Sequence, residues 1–296
     1  MDNNELTGYF NYLQYEKRYS AHTLIAYQCD LEQFIKYLSL HFSLSGLLQV
    51  SHFHVRSWLA SLKENKETAR TLNRKISSLN SFYKYLQKHG LTDKNPVRQL
   101  HAQRLPERLP TYLKETETTN LLEELQFNEG FEGFTDRLIC ELLYATGIRR
   151  NELLQLKEKN IEWSLKQIRV LGKGNKERLI PVSMALLDTM KDYLAAKQEL
   201  ANYNTEYLFN LPSGLPLYAG YVYRTVKKYL SQVTTLKKRS PHVLRHTFAT
   251  HLLGNGANIQ AIKDLLGHSS LAATQVYTHS NIDRLKEIHM QNHPRG

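Results

Sequence analysis

The sequence predicts a mainly α protein of two units, with one small β-hairpin in the second. Three observations carry this expectation. Apolar residues recur at helical spacing through the first hundred positions, a Pro-containing basic stretch then breaks the pattern, and a single pair of alternating segments flanks a Gly-rich turn farther on. A chain of 296 residues suits about two domains.

The N-terminal elements come first. Ser20 precedes Leu24, Tyr27, Leu31, Phe34 and Leu38, which predicts a capped helix with one apolar face. Ser51 precedes Val55, Trp58, Leu59 and Leu62 in the same way. From about Glu67 to His89 two opposed stripes share one helix. Leu72, Ile76, Leu79, Tyr83 and Leu86 form one; Arg70, Arg74, Ser77, Ser81, Lys84 and Lys88 form the other. Residues 63–104 contain ten Lys and Arg against three Asp and Glu. A solvated helix face usually mixes signs, so this stripe is expected to contact phosphates, with Lys and Arg neutralising them and Ser donating hydrogen bonds.

Lys94-Asn95-Pro96 stops that helix, and Pro106 and Pro110 keep the chain extended. The expected division is residues 1–94 as an N-terminal helical DNA-binding unit, 95–112 as a basic linker, and 113–296 as the second unit. In the latter, Ile168 and Val170 alternate before Gly172-Lys173-Gly174-Asn175, and Ile180 and Val182 alternate after it, which predicts the hairpin.

Net charge is +11, which favours an acidic partner such as nucleic acid. No run is apolar enough to cross a membrane, and the polar start with Asp2 and Glu5 is unlike a signal peptide. Cys29 and Cys140 form no CxxC pair, suit a reducing cytosol, and are expected in the core.

Several segments carry chemistry. Ser240-Pro241 starts a helix, with Ser as cap, and places His242 and Arg245 three apart on one face near free N–H groups. A cation and an imidazole therefore meet where an anion would bind. His242 and His246 lack an evident third zinc ligand and an HExxH glutamate. Gly267 ends one helix and holds His268 in a tight turn; Tyr277 follows nine residues later. Gly147-Ile148-Arg149-Arg150-Asn151-Glu152 combines a Gly break with two arginines, one of which can form a surface salt bridge to Glu152. The turn at Lys173 does not match the GxxxxGK[ST] nucleotide loop.

In this order, Gly-Ile-Arg-x-x-Glu-Leu, Gly-Lys-Gly-Asn-Lys-Glu-Arg, His-x-x-Arg-His, Leu-Leu-Gly-His and Tyr, the segments resemble the tyrosine recombinase family, most closely the Xer recombinases of bacteria. The resemblance spans essentially the whole chain, including Thr274 to His279 and the ending Asn292 to Gly296. It implies a catalytic domain of α+β type, a C-shaped clamp on DNA, and a site made of Arg149, Lys173, His242, Arg245, His268 and Tyr277. Tyr277 would be the nucleophile, Arg149 and Arg245 the phosphate ligands, Lys173 the acid for the leaving 5′ oxygen, and His242 and His268 the proton handlers. Where relatives place a small or apolar residue and then Ser, this chain has Arg150 and Asn151, so Arg150 stands as the alternative to Arg149.

The resemblance further implies double-stranded DNA carrying a specific recombination site, four identical or paralogous protomers on two duplexes, a DNA translocase as activator, and a cytoplasmic, nucleoid-associated bacterial enzyme. Neither cofactor nor metal is implied. The tail from Asn281 to His293 would dock on a neighbouring subunit or fold back on its own unit. A mobile-element integrase, a type IB topoisomerase and a non-catalytic DNA-binding protein are the competing functions.

Overall fold

The computed structural model describes residues 3–44, 46–105, 111–172, 177–201, 203–204, 206–267 and 288–294. The chain divides into two compact units between Arg108 and Leu109.

The first unit is helical: α1 (Asn3–Asn11), extended by a π-helical turn through Glu16, then α2 (Ala21–Phe42), α3 (His52–Glu64) and α4 (Ala69–Lys88). Ser20 and Ser51 stand at the helix starts expected of them, and Thr68 caps α4 as well. Ser20 Oγ accepts from the Thr23 N–H at 3.3 Å, and Thr68 Oγ1 accepts from the Thr71 N–H at 3.2 Å. Ser51 and His54 form a reciprocal pair at the start of α3. The core gathers Leu31 and Phe34 from α2, Val55 and Trp58 from α3, and all five apolar-stripe residues of α4. Phe34 and Trp58 meet in a tilted ring pair at 4.8 Å. Leu24 and Tyr27 are only half-buried. Cys29 is exposed on α2, contrary to expectation, whereas Cys140 is fully buried. Cys29 lies two residues from Leu31, about 200° around the helix, which turns it away from the core.

A buried carboxylate organises this unit. Asp30 is 1% exposed and receives Lys75 Nζ at 2.9 Å together with the Arg74 guanidinium. Lys75 also donates to Gln33 and lies over the Trp58 ring at 5.4 Å. A buried charge is tolerable only when paired in this way.

The first half of the expected linker belongs to this unit. Val97 is buried, Asn95 bonds Asn80 at 3.0 Å, and Asn73 accepts from the Gln103 N–H at 2.6 Å and donates to its carbonyl at 2.8 Å. An apolar side chain and satisfied amides hold residues 95–103 down despite Pro96.

The second unit comprises α5 (Glu115–Thr119), α6 (Gly130–Thr146), α7 (Arg150–Leu154), β1 (Ile161–Glu162), β2 (Gln167–Leu171), β3 (Glu177–Pro181), α8 (Met184–Gln198), α9 (Ala219–Val233), α10 (Pro241–Gly254) and α11 (Ile259–Leu266). The antiparallel sheet has the order β1-β2-β3, one strand more than the expected hairpin, and Ile168 pairs with Ile180 across it. Residues 138–148 are buried without interruption, so α6 is the central helix, with α8, α9 and α10 packed around it. Residues 288–292 are helical and lie against their own unit. Ile288 packs on the core, His289 Nε2 meets the Ala145 carbonyl at 2.9 Å, and Asn255 donates to the Asn292 carbonyl at 2.8 Å.

Gly147 closes α6 at φ +60°, and its space is as restricted as its backbone. An added Cβ would stand 2.5 Å from Phe248 Cδ1 and 2.9 Å from Leu266 Cδ2. Gly147→Ala is therefore expected to cost about 2–5 kcal/mol, from the left-handed backbone and from overpacking. Urea unfolding measures this; a loss below about 0.5 kcal/mol, the scatter of neutral surface changes, would show that α10 and α11 simply move aside.

Candidate active site

Three guanidiniums converge on the end of α11. A helix leaves its last carbonyls without intrahelical donors and carries partial negative charge there. Arg178 Nε donates to the Leu265 carbonyl at 2.8 Å, Arg245 Nη2 to Leu266 at 2.6 Å, and Arg149 Nη2 to Gly267 at 3.2 Å. Each of three consecutive carbonyls thus takes one arginine. Arg245 Nη1 also donates to the Gly147 carbonyl at 2.5 Å, tying the end of α6 to the end of α11.

Glu152 organises the arginines from the other side. It is 6% exposed, so the surface salt bridge expected from sequence is in fact a buried one. Its carboxylate accepts both Nη groups of Arg178, at 2.9 and 2.8 Å, and Arg149 Nη1 at 2.8 Å and Arg149 N–H at 2.7 Å. Burial alone would raise the Glu152 pKa; the hydrogen bonds and charge of Arg178, with the Arg149 bonds, hold it below the usual carboxylate range. The carboxylate therefore stays ionised and keeps Arg149 at the start of α7.

Of the two candidate arginines after Gly147, Arg149 is the one whose guanidinium reaches Gly267 beside Arg245. Its side chain is 38% exposed, whereas Arg245 is 4% exposed. Burial and then the charge of Arg149 lower the Arg245 pKa, with Glu152 opposing. A guanidinium nevertheless keeps its proton. His242, one turn before Arg245 on α10, is exposed, and its ring lies 4.4 Å from that of His246. Burial lowers the His242 pKa, and the positive fields of His246, Lys238, Arg245 and Arg149 lower it further.

Ser240 occupies the cap position of α10, with Pro241 at the first helical position, yet its hydroxyl makes no cap bond. The Val243 N–H that it would bind is taken by the Ser240 carbonyl at 2.8 Å. Gly267 ends α11 in the left-handed conformation, as its position predicts. Lys173, His268 and Tyr277 lie outside the described residues. So the structure brings together Arg149, His242 and Arg245 among the predicted six. Sequence reasoning missed Arg178 and the burial of Glu152. A signal existed: Arg178 alternates with the inward Ile180 on a strand, where an apolar residue is the rule.

On the first unit, Arg70, Ser77, Lys84 and Lys88 are exposed, and Ser81 is half-buried. Lys88 pairs with Glu16 at 3.5 Å, and Ser77 Oγ donates to the Asn73 carbonyl at 2.9 Å. Arg74 is spent on Asp30 and on the Ala26 carbonyl. A cleft of about 420 Å³ lies beside Lys84 and is lined also by Asn80, Gln87 and Arg98.

Comparison with known proteins adds the following. Residues 111–284 match the phage integrase family, and residues 6–90 match the phage integrase N-terminal SAM-like domain. Tyrosine recombinase XerC of Oceanobacillus iheyensis is 36% identical over 97% of this chain and 95% of its own. XerC of Listeria welshimeri is 36% identical over 97% of each. Among solved structures, XerH site-specific recombinase bound to difH substrate in a pre-cleavage complex is 25% identical, with a TM-score of 0.69 over 89% of this chain and 78% of that one. A lambda integrase dimer bound to a core site is 20% identical, with a TM-score of 0.66 over 91% and 95%, a likeness of fold.

Two outcomes are expected. A bound phosphodiester should raise the His242 pKa, because it offsets the cations that lower it; imidazole NMR titration with and without duplex measures this, and an unchanged value would separate His242 from the anion site. Lys84→Ala should weaken binding to all duplex sequences alike and reduce the salt slope by about one unit. An unaltered slope would leave Lys84 in solvent.

Proposed function

The chain belongs to the phage integrase family, whose tyrosine recombinases cut and rejoin DNA, and on that premise we propose that it performs site-specific recombination through a covalent phosphotyrosyl intermediate at Tyr277. The observation that carries the proposal is the convergence of Arg149 and Arg245 on the end of α11, whose last residue precedes His268 in sequence, with His242 near enough to feel both charges. The chemistry follows from the residue types. Tyr277 Oη forms a bond to phosphorus, the P–O5′ bond breaks, and the DNA keeps a 3′-phosphotyrosyl end and a free 5′ hydroxyl. The tyrosine proton passes to a base, His242 or His268, and Lys173 gives a proton to the departing oxygen. Arg149 and Arg245 stabilise the added charge on the non-bridging oxygens. Arg245 has five N–H donors, of which the two bonded to Gly147 and Leu266 fix the plane; the others, unbonded among the described residues, would serve the phosphate.

The phosphotyrosyl bond retains the energy of the phosphodiester, so a second attack by a 5′ hydroxyl rejoins the strands without ATP. Repeated on two duplexes by four protomers, the exchange passes through a Holliday junction. The near full-length likeness to XerC relatives supports resolution of chromosome dimers at a specific site during segregation. Partners in this reading are duplex DNA, a paralogous or identical recombinase and a DNA translocase; the setting is the bacterial cytoplasm at the nucleoid. Arg70, Arg74, Ser77, Ser81, Lys84 and Lys88 are retained as the phosphate-facing stripe, with Arg70 and Lys84 the cations least committed elsewhere.

Trapping on nicked suicide duplexes built around candidate sites of the source genome tests the reading. Wild type should give a covalent band on a denaturing gel and Tyr277→Phe none; a band in the variant would exclude Tyr277 as nucleophile. Arg245→Ala should slow cleavage by roughly 100- to 1,000-fold, the loss of about 3–4 kcal/mol expected for one oxyanion donor. Relaxation of a plasmid lacking any target would favour topoisomerase action instead.

A further inference from the structure

Arg178 is a buried cation on the inward side of a strand. Across the sheet it pairs with Val170, and Ile168, Val170 and Ile180 are the buried residues around it. Its neighbours Glu177 and Leu179 turn outward, where Glu177 meets Arg169. Each of the three nitrogens of Arg178 donates: Nε to the Leu265 carbonyl and both Nη groups to Glu152. Gly267 packs so closely that an added Cβ would lie 3.1 Å from Arg178 Cδ. A buried ion pair seldom adds net stability over a well-packed apolar pair, so its presence on this face asks for another role.

Its place on the chain indicates one. Arg178 is five residues after Lys173, at the start of the strand leading out of that turn. Glu152 is three residues after Arg149, and Leu265 three before His268. One guanidinium therefore joins the strand that follows Lys173 in sequence, the helix that Arg149 starts and the helix end that precedes His268. We propose that Arg178 is a positioning residue for strand transfer, anchoring the start of β3 to Glu152 and to the end of α11 so that Lys173, five residues earlier, reaches the leaving oxygen. This rests on the general-acid role assigned to Lys173 above.

The test uses the full-length protein and two nicked suicide duplexes, one with the natural 5′-bridging oxygen and one with sulfur in its place. A thiolate leaves without being protonated, since thiols ionise near pH ~8.5. On the oxygen duplex, Arg178→Met should cleave roughly 100-fold more slowly than wild type, the scale of a lost proton donor. On the sulfur duplex the gap should narrow to within about tenfold. Arg178→Lys keeps a cation on Glu152 but cannot also serve Leu265, and should fall between. Thermal melting and duplex binding run alongside; if Arg178→Met loses the fold, Arg178→Lys carries the same comparison. Equal slowing on both duplexes in a folded variant, or no slowing on either, overturns the proposal. Lys173→Ala is the control: its recovery on sulfur upholds the general-acid reading even where Arg178→Met fails to recover. No recovery of Lys173→Ala would remove that reading, and the proposal with it.

Discussion

Leu265, Leu266 and Gly267 present three carbonyls that their own helix cannot satisfy; Arg178 and Arg245 are cations that the interior cannot hold unpaired, and Arg149 joins them from the rim. Each set answers the need of the other. The helix end gains donors and opposite charge, and the guanidiniums gain acceptors that fix their planes. Glu152 supplies a full negative charge, shared between Arg178 and Arg149. Gly147 and Gly267 are glycines because the groups crowd together here and the backbone turns left-handed at both. The turn leading to His268, the start of α7 and the strand after Lys173 are all referred to this one cluster.

The cluster is also electrically unfinished. Among the described residues, three guanidiniums face one carboxylate and the partial charges of a helix end, and Lys238 adds to the field felt by His242. Such a surplus favours an anion and adds to the effect of burial in lowering the His242 pKa. A neutral imidazole can accept a proton, and a phosphate in transition carries the charge that the arginines lack a partner for. In the proposed reaction the same arrangement would hold Arg149 and Arg245 against the phosphate in a fixed geometry, with little left to reorganise.

The first unit uses related physics for a different end. Asp30 accepts Lys75 from inside and Arg74 from the rim, which leaves α4 anchored by charge as well as by its apolar stripe. Its outward face is basic because the acids that would balance it are few, and one of the basic side chains is committed inward.

Most of the architecture was legible in the sequence. Helical spacing located α2, α3 and α4, Ser20 marked the start of α2 by local capping, and the alternation of Ile168, Val170, Ile180 and Val182 revealed the hairpin, since all of these depend on near neighbours in the chain. The motifs also named Arg149, His242 and Arg245. What the sequence alone could not supply were distant pairings. Glu152 looked like a surface partner of an adjacent arginine, but Arg178, 26 residues on, buries it. Arg74 lay on the outward stripe, yet Asp30, 44 residues away, claims it. Ser240 held a cap position whose bond was already filled. Periodicity reports which way a side chain points from its own element. Which charge meets it there is decided only when elements far apart in sequence are packed together, because burial makes that pairing obligatory.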